Sequence, residues 1–261
     1  MKIFHVDTFT DRAFRGNPAG VCILSHPKVD SWMQSVAAEM NLSEIAFLIR
    51  QADGYLLRWF TPKTEVDLCG HATLASAHIL WQETLASADS HINFYTRSGN
   101  LRAWRQDDRI GLDFPLLPDE PIAHTEDLRR ILGTPIVYAG KNRFDTIVEV
   151  GSEEILRSIG PARDELLTLI TRGLIITSRS DNPEYDFVSR FFRPSAGEEE
   201  IPVSGSAHCC LGPYWAMRLG RDVLTAYQAS LRGGMIGMAV TPDRIHLYGH
   251  AVTVIAGEIV T

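Results

Sequence analysis

Arg58-Trp59-Phe60-Thr61-Pro62, followed by Gly70-His71-Ala72, returns later in the chain as Arg190-Phe191-Phe192-Arg193-Pro194, followed by Gly205-Ser206-Ala207. Each copy reads as an aromatic strand, a proline-marked loop and the start of a helix of small residues. The copies lie about half the chain length apart, which is the signature of a duplication rather than of a short-period solenoid. The echo divides the 261 residues into two similar halves, each long enough to bury a core. The first N–H groups of a helix have no partner within it and together carry about half a positive charge. If the two halves face each other, the helix starts at Gly70 and Gly205 can point into one cleft and hold a small anionic molecule.

Outward from the echo, composition narrows the possibilities. Hydrophobic residues make up 45% and charged residues 22%, the balance of a globular chain rather than a disordered one. The net charge is −7 and the basic residues are dispersed, so no nucleic-acid-binding surface is expected. Met1-Lys2-Ile3-Phe4-His5-Val6-Asp7 has the pattern of a strand, not of a signal peptide. No run approaches the ~18 apolar residues of a membrane span, so a cytoplasmic protein with no membrane partner is expected. Cys22, Cys69, Cys209 and Cys210 form no CxxC pair and are expected as free thiols. No zinc-type spacing of Cys and His appears, so no metal is expected.

Periodicity predicts strands at 2–9 and 20–24 separated by a loop at Arg15-Gly16-Asn17-Pro18-Ala19-Gly20, a helix at 31–40, and strands at 45–49 and 55–60. A helix from Gly70 to about Gln82 follows, then strands at 91–96, 99–105 and 109–114. The proline-rich stretch 114–121 is expected as a linker. Beyond it come a helix at 125–132, strands within 136–150, helices near 153–159 and 163–170, strands at 173–178 and 186–193, and a helix from Gly205 to about Leu219 ended by Gly220. The tail is again strand-like. The prediction is an α+β protein in which each half curls a mostly antiparallel sheet around one central helix. The expected domains are 1–115 and 122–251, with a C-terminal strand at 252–261 whose packing the pattern leaves open.

Three places could carry chemistry. Glu44 lies at a turn beside Ile45, Ala46 and Phe47, where partial desolvation suits a carboxylate that takes a proton from a C–H and returns it elsewhere. The plain alternative is a solvated loop carboxylate. Cys69-Gly70-His71-Ala72 puts His71 in a first helical turn, able to donate to a substrate oxygen, with Cys69 beside it. Ser204-Gly205-Ser206-Ala207 is the matching segment of the second half, with hydroxyls and backbone N–H groups able to hold a carboxylate; an ordinary serine cap is the alternative. His208-Cys209-Cys210 reads as core. A racemase with two thiols would have cysteine at both helix starts, and here the positions hold Cys69 and Ser204. Neither a G-x-S-x-G elbow nor a GxGxxG loop is present.

Taken together, Phe4-His5-Val6-Asp7-Thr8-Phe9, Gly16-Asn17-Pro18-Ala19-Gly20, Asn41-Leu42-Ser43-Glu44, Arg58 to Pro62, Cys69-Gly70-His71-Ala72-Thr73, Gly205-Ser206-Ala207-His208 and Pro213-Tyr214-Trp215 resemble the phenazine-biosynthesis (PhzF-like) isomerase family across essentially the whole chain. The resemblance implies the diaminopimelate epimerase-like fold, with two pseudo-symmetric domains and an active site in the cleft. It further implies a homodimer that uses no cofactor and acts on a small carboxylic acid by acid/base isomerisation. On it, Glu44 falls on the proton-shuttling position, His71 and Gly70 on the substrate-contacting positions of the first helix start, and Gly205 and Ser206 on those of the second. His71 is expected to assist Glu44, and Ser204 and Asn17 are expected to bind substrate as well. One departure stands out. The family's Glu-Asp-Pro is replaced by Glu200-Ile201-Pro202, and an aliphatic side chain can neither accept a substrate ammonium nor orient His71. Three explanations are open: another substrate, Glu200 acting in the aspartate's place, or a scaffold that binds without catalysis. A thiol-dependent epimerase using Cys69 is a further alternative.

Overall fold

The computed structural model describes residues 1–87, 89–123, 125–170, 172–194 and 198–260, without the side chains of 163, 198 and 199. The chain forms two compact units, Met1–Phe114 with His246–Thr261, and Pro115–Ile245. Thr261, the last residue of the strand expected at 252–261, lies outside the described residues.

In the first unit β1 (Lys2–Thr8) and β2 (Asn17–Leu24) pair antiparallel, and α1 (Asp30–Met40) crosses over to β3 (Ile45–Arg50), which runs parallel to β2. β4 (Tyr55–Phe60) returns antiparallel to β3 and carries the short β5 (Glu65–Val66) on its edge. α2 (Gly70–Gln82) comes next, then β6 (Ile92–Thr96), parallel to β4, and the antiparallel β7 (Gly99–Gln106) and β8 (Arg109–Pro115). The helix is central because its residues are small: nine of its 13 are buried, so it packs against strands all round rather than on one stripe. Its contacts run to β1, β2, β3, β7 and the C-terminal strand Ala251–Glu258.

The second unit repeats this order. After β9 (Glu120–Pro121) and α3 (Glu126–Leu132), β10 (Ile136–Lys141) and β11 (Asp145–Val150) pair antiparallel. α4 (Glu153–Ser158) and α5 (Arg163–Leu169) lead to β12 (Gly173–Arg179), parallel to β11, and β13 (Phe187–Arg193) returns antiparallel with β14 (Glu198–Glu200) on its edge. α6 (Gly205–Leu219), β15 (Val223–Gln228) parallel to β13, and β16 (Gly234–Val240) complete the repeat. β17 (Arg244–Gly249) then pairs with β8, and β18 (Ala251–Glu258) pairs antiparallel with β1, Lys2 opposite Glu258. The duplication read from sequence is thus a duplication of strand pairing.

The echoed arginines have the same task in both units. Arg58 forks onto Glu65 with Nε and Nη2 each 2.7 Å from a carboxylate oxygen, and Arg190 forks onto Glu200 at 2.7 and 3.0 Å. Each pair ties the strand to the segment that enters the central helix, in the bidentate geometry that gives such pairs their strength. α6 also accommodates Pro213. Proline has no N–H for the carbonyl four residues back, and the Cys209 carbonyl instead accepts from Leu117 N at 3.1 Å. Gly220 closes the helix at φ +67, as expected of a glycine just past a helix end.

Two expectations are corrected. The loop placed at 15–20 ends at Gly16, where φ is +64 and a Cβ would lie 2.0 Å from Thr8 O; from Asn17 the chain is already strand β2. Its turn-type residues serve close packing, since Ala19 is fully buried and a Cβ at Gly20 would meet Ile45 at 2.9 Å. Within the expected linker, Pro115 ends β8, and Glu120–Pro121 pairs with β10.

Candidate active site

Glu44 lies just before β3, held there by its carbonyl, which accepts from Gly20 N at 3.0 Å. His71 is the second residue of α2 and is buried. The parallel β2–β3 pairing brings the two together: Glu44 Oε2 is 3.2 Å from His71 Nε2, with side chains only 15% and 10% exposed. Ser43 Oγ, 3.3 Å from the same nitrogen, donates its own proton to Pro18 O at 3.0 Å. Towards His71 it can therefore only accept, which fixes a hydrogen on Nε2. On the far edge of the ring Nδ1 is 3.4 Å from Cys69 Sγ.

Burial works against a charged His71, and the neighbouring Cys69 and Glu44 outweigh it, raising its pKa well above the ordinary value. Burial raises the Cys69 thiol above its usual pKa, while Cys69 and Glu44 both favour the charged form of His71. The imidazolium then donates to Glu44 from Nε2.

Glu44, Cys69 and His71 each offer an atom within 4.8 Å of the others, a set that could hold a metal ion. The closest contacts among them are Glu44 Oε2 to His71 Nε2 and Cys69 Sγ to His71 Nδ1, so the same three residues also read as a hydrogen-bonded chain through the ring. Asn17, also buried, opens β2 next to Pro18, whose carbonyl takes the Ser43 proton. Gly70 is the first residue of α2, behind a Cys69 cap that makes no side-chain hydrogen bond from the cap position.

The second unit brings Ser204, Gly205 and Ser206 together at the start of α6. Ser204 Oγ accepts from Ala207 N at 3.2 Å, a serine cap as weighed from the sequence, and lies 3.1 Å from Ser206 Oγ. Gln228 fixes the approach to the helix: its Oε1 accepts from Ser204 N at 2.9 Å and its Nε2 donates to Ile201 O at 2.7 Å. His208 is fully buried, with Nδ1 2.7 Å from Ser204 O, and burial depresses its pKa to about 4, which makes it a neutral core histidine. Ile201 is buried, and Glu200 is committed to Arg190, so Glu200 does not stand in for an aspartate at 201.

Arg172 and Asp145 escaped sequence reading. Arg172 Nη1 donates to Asp145 Oδ2 at 2.7 Å and Nη2 to Ser206 Oγ at 3.4 Å. The usable signal was the duplication itself: aligning Arg58 with Arg190 through the β3–β4 and β12–β13 registers puts Ser43 at the place of Arg172.

Two like units, each wrapping mostly antiparallel strands around a buried helix, make up the diaminopimelate epimerase-like fold. It is shared with a probable proline racemase from Agrobacterium radiobacter K84, at TM-score 0.66 and 10% identity over 99% of this chain and 92% of that one. Residues 6–257 match the phenazine biosynthesis-like (PhzC-PhzF) family model, and the chain belongs to that family. An uncharacterized isomerase of Halalkalibacterium halodurans is 53% identical over 98% of this chain and 97% of its own. The crystal structure of a PhzF-family phenazine biosynthesis protein from Enterococcus faecalis superposes with a TM-score of 0.95 at 39% identity, covering 100% of this chain and 99% of that one. Among the described residues no helix is long and apolar enough to cross a membrane.

Proposed function

We propose that this chain is a cofactor-independent isomerase that moves a proton on a small carboxylic or amino acid, with Glu44 as the proton-transferring group and His71 as its partner. The observation behind this reading is the buried 3.2 Å contact between Glu44 and His71 at a helix start. The Glu44 carboxylate takes a proton from a C–H, the electron pair left on carbon moves into the conjugated system of the acid, and the same carboxyl returns the proton to another carbon. His71 holds Glu44 in place and offers its positive charge to the negative charge that develops. Gly70 and Asn17 in the first unit, and Ser204, Gly205 and Ser206 in the second, bind the substrate. The isomerase names of relatives agree with this chemistry. We place the protein in the cytoplasm as a homodimer.

Proton NMR in heavy water tests the reading on a panel of cyclic and acyclic amino and hydroxy acids, including dihydroanthranilate types. Deuterium should enter carbon positions with the wild type and not with Glu44→Gln; equal exchange by both would reject the role of Glu44. Ile201 favours one second reading, a protein that binds small acids without turning them over. Broadened ligand signals with no exchange from any compound would establish it.

A further inference from the structure

The two units share a plan but differ in charge at one equivalent place. In the first unit the residues entering β3, Ser43 and Glu44, contact the second residue of α2. In the second unit the residue entering β12 is Arg172, and it contacts the second residue of α6. By strand register Arg172 takes the place of Ser43, so a guanidinium in one half stands where a hydroxyl, next to the carboxylate of Glu44, stands in the other.

That guanidinium is built in. Asp145, whose side chain is fully buried, anchors one edge at 2.7 Å. The Phe144 ring lies 5.0 Å from the guanidinium carbon. Arg193, at the end of β13, is near enough for its positive charge to act on both Asp145 and Arg172. The other Asp145 oxygen, Oδ1, is buried and has no hydrogen-bond partner among the described residues. Arg172 itself stays 30% exposed, and among the described residues its five N–H donors make two contacts.

The serine hydroxyls extend the array. Ser204 Oγ accepts from Ala207 N and lies 3.1 Å from Ser206 Oγ, where either hydroxyl can donate. Ser206 Oγ accepts from Arg172, and its O–H can serve either Ser204 or a ligand. Next to it are the first N–H groups of a 15-residue helix. A fork of guanidinium donors, a hydroxyl and helix N–H groups suits a planar carboxylate.

We propose that Arg172 is the carboxylate-recognising residue of the second unit, held by Asp145 and aligned with Ser206, so that one repeat has diverged toward proton transfer and the other toward anion recognition. This rests on the reading of Ser206 as a substrate contact. It deepens that reading by assigning the acidic end of the substrate to a guanidinium that the family's motifs do not mark.

Binding rather than turnover tests it, with benzoate and its neutral counterpart benzamide as probes, titrated into the full chain by NMR. The wild type should bind benzoate about tenfold or more tightly than benzamide, the usual scale of a charge-assisted hydrogen bond. Arg172→Gln should abolish that preference, while Arg143→Gln, which removes an exposed cation from the same Phe144 ring, should keep it. If Arg172→Gln fails to fold, Arg172→Lys is read instead: it keeps a point charge without the fork, and a reduced preference supports the assignment. A full preference in either folded Arg172 variant, or none in the wild type, overturns it. The outcome is separable from the role of Glu44. Deuterium exchange lost in Glu44→Gln beside an unchanged benzoate preference in Arg172→Gln would defeat this assignment alone.

Discussion

Glu44→Gln keeps the shape of the side chain and removes its charge, which isolates the electrostatic half of the Glu44–His71 contact. Two unit charges 3.2 Å apart attract by about 5 kcal/mol at an effective dielectric of about 20. Desolvating both takes back several kcal/mol of this. In the wild type the balance still favours the imidazolium, whose pKa lies well above its ordinary value against the opposing effect of burial. Without the carboxylate one of the two neighbours that raise the midpoint is lost, and the midpoint must fall. Nitrogen-detected NMR of the His71 ring should find it cationic in the wild type near neutral pH and neutral in the variant. Stability should respond in the same sense. A histidine whose folded pKa is raised contributes stability that is fully present below its unfolded pKa and is lost as pH rises through the folded one. Thermal unfolding of the wild type should therefore weaken with rising pH above neutrality, and this slope should vanish in the variant. Exchange activity should drop by about 10²- to 10⁴-fold, the usual worth of a positioned acid/base. An unchanged His71 midpoint with an unchanged pH slope would refute the pairing.

Three more perturbations have defined outcomes. Gln228→Leu strips partners from Ser204 N and Ile201 O, and at about 1–3 kcal/mol for each buried orphan should lower stability in urea by at least 2 kcal/mol; a loss under about 1 kcal/mol would contradict the clamp. Ile201→Asp restores the family's residue type at a site 9% exposed and should cost about 2–4 kcal/mol near neutral pH. Burial raises such a carboxyl's pKa, so the penalty should shrink as the pH falls and the group protonates; an equal cost at all pH values would show that the charge is not what destabilises. Cys69, a buried thiol with a raised pKa, should react slowly with iodoacetamide near neutral pH. Cys69→Ser should keep exchange activity within about tenfold, and abolition would revive the thiol-dependent reading.

Elements with one dominant local signal were legible in the sequence. α2 was expected from Gly70 to about Gln82 and occupies those residues, because a run of Ala, Ser and Leu with no proline has few other options. Gly220 stopped α6 where expected. Asn17 to Gly20 were misjudged because turn-type residues also serve where backbones approach closely, and only the partner strand reveals which use applies. Glu200 seemed a possible replacement for an aspartate until its fork with Arg190 became visible, although the same fork at Arg58 and Glu65 was implicit in the echo. Glu44 and His71 were found as separate candidates, and their contact depends on a parallel pairing that no local pattern encodes. Arg172 and Asp145 were hidden for the same reason: Asp145 opens β11 and Arg172 immediately precedes β12, strands that pair in parallel with helices intervening in sequence.

One half is contiguous in the chain and the other is not. The second unit is made of consecutive residues, whereas the first must wait for β18 to pair with β1, Lys2 against Glu258. A chain synthesised from its N-terminus therefore spends most of its emergence with β1 lacking one neighbour, an open edge of the kind that recruits other strands. The polar residues along it, Lys2 with its ammonium on Glu83, then His5 and Asp7, give that waiting edge a charged character before its last strand arrives. Closing so long a loop is slow, so the half that bears Glu44 and His71 is the half completed last.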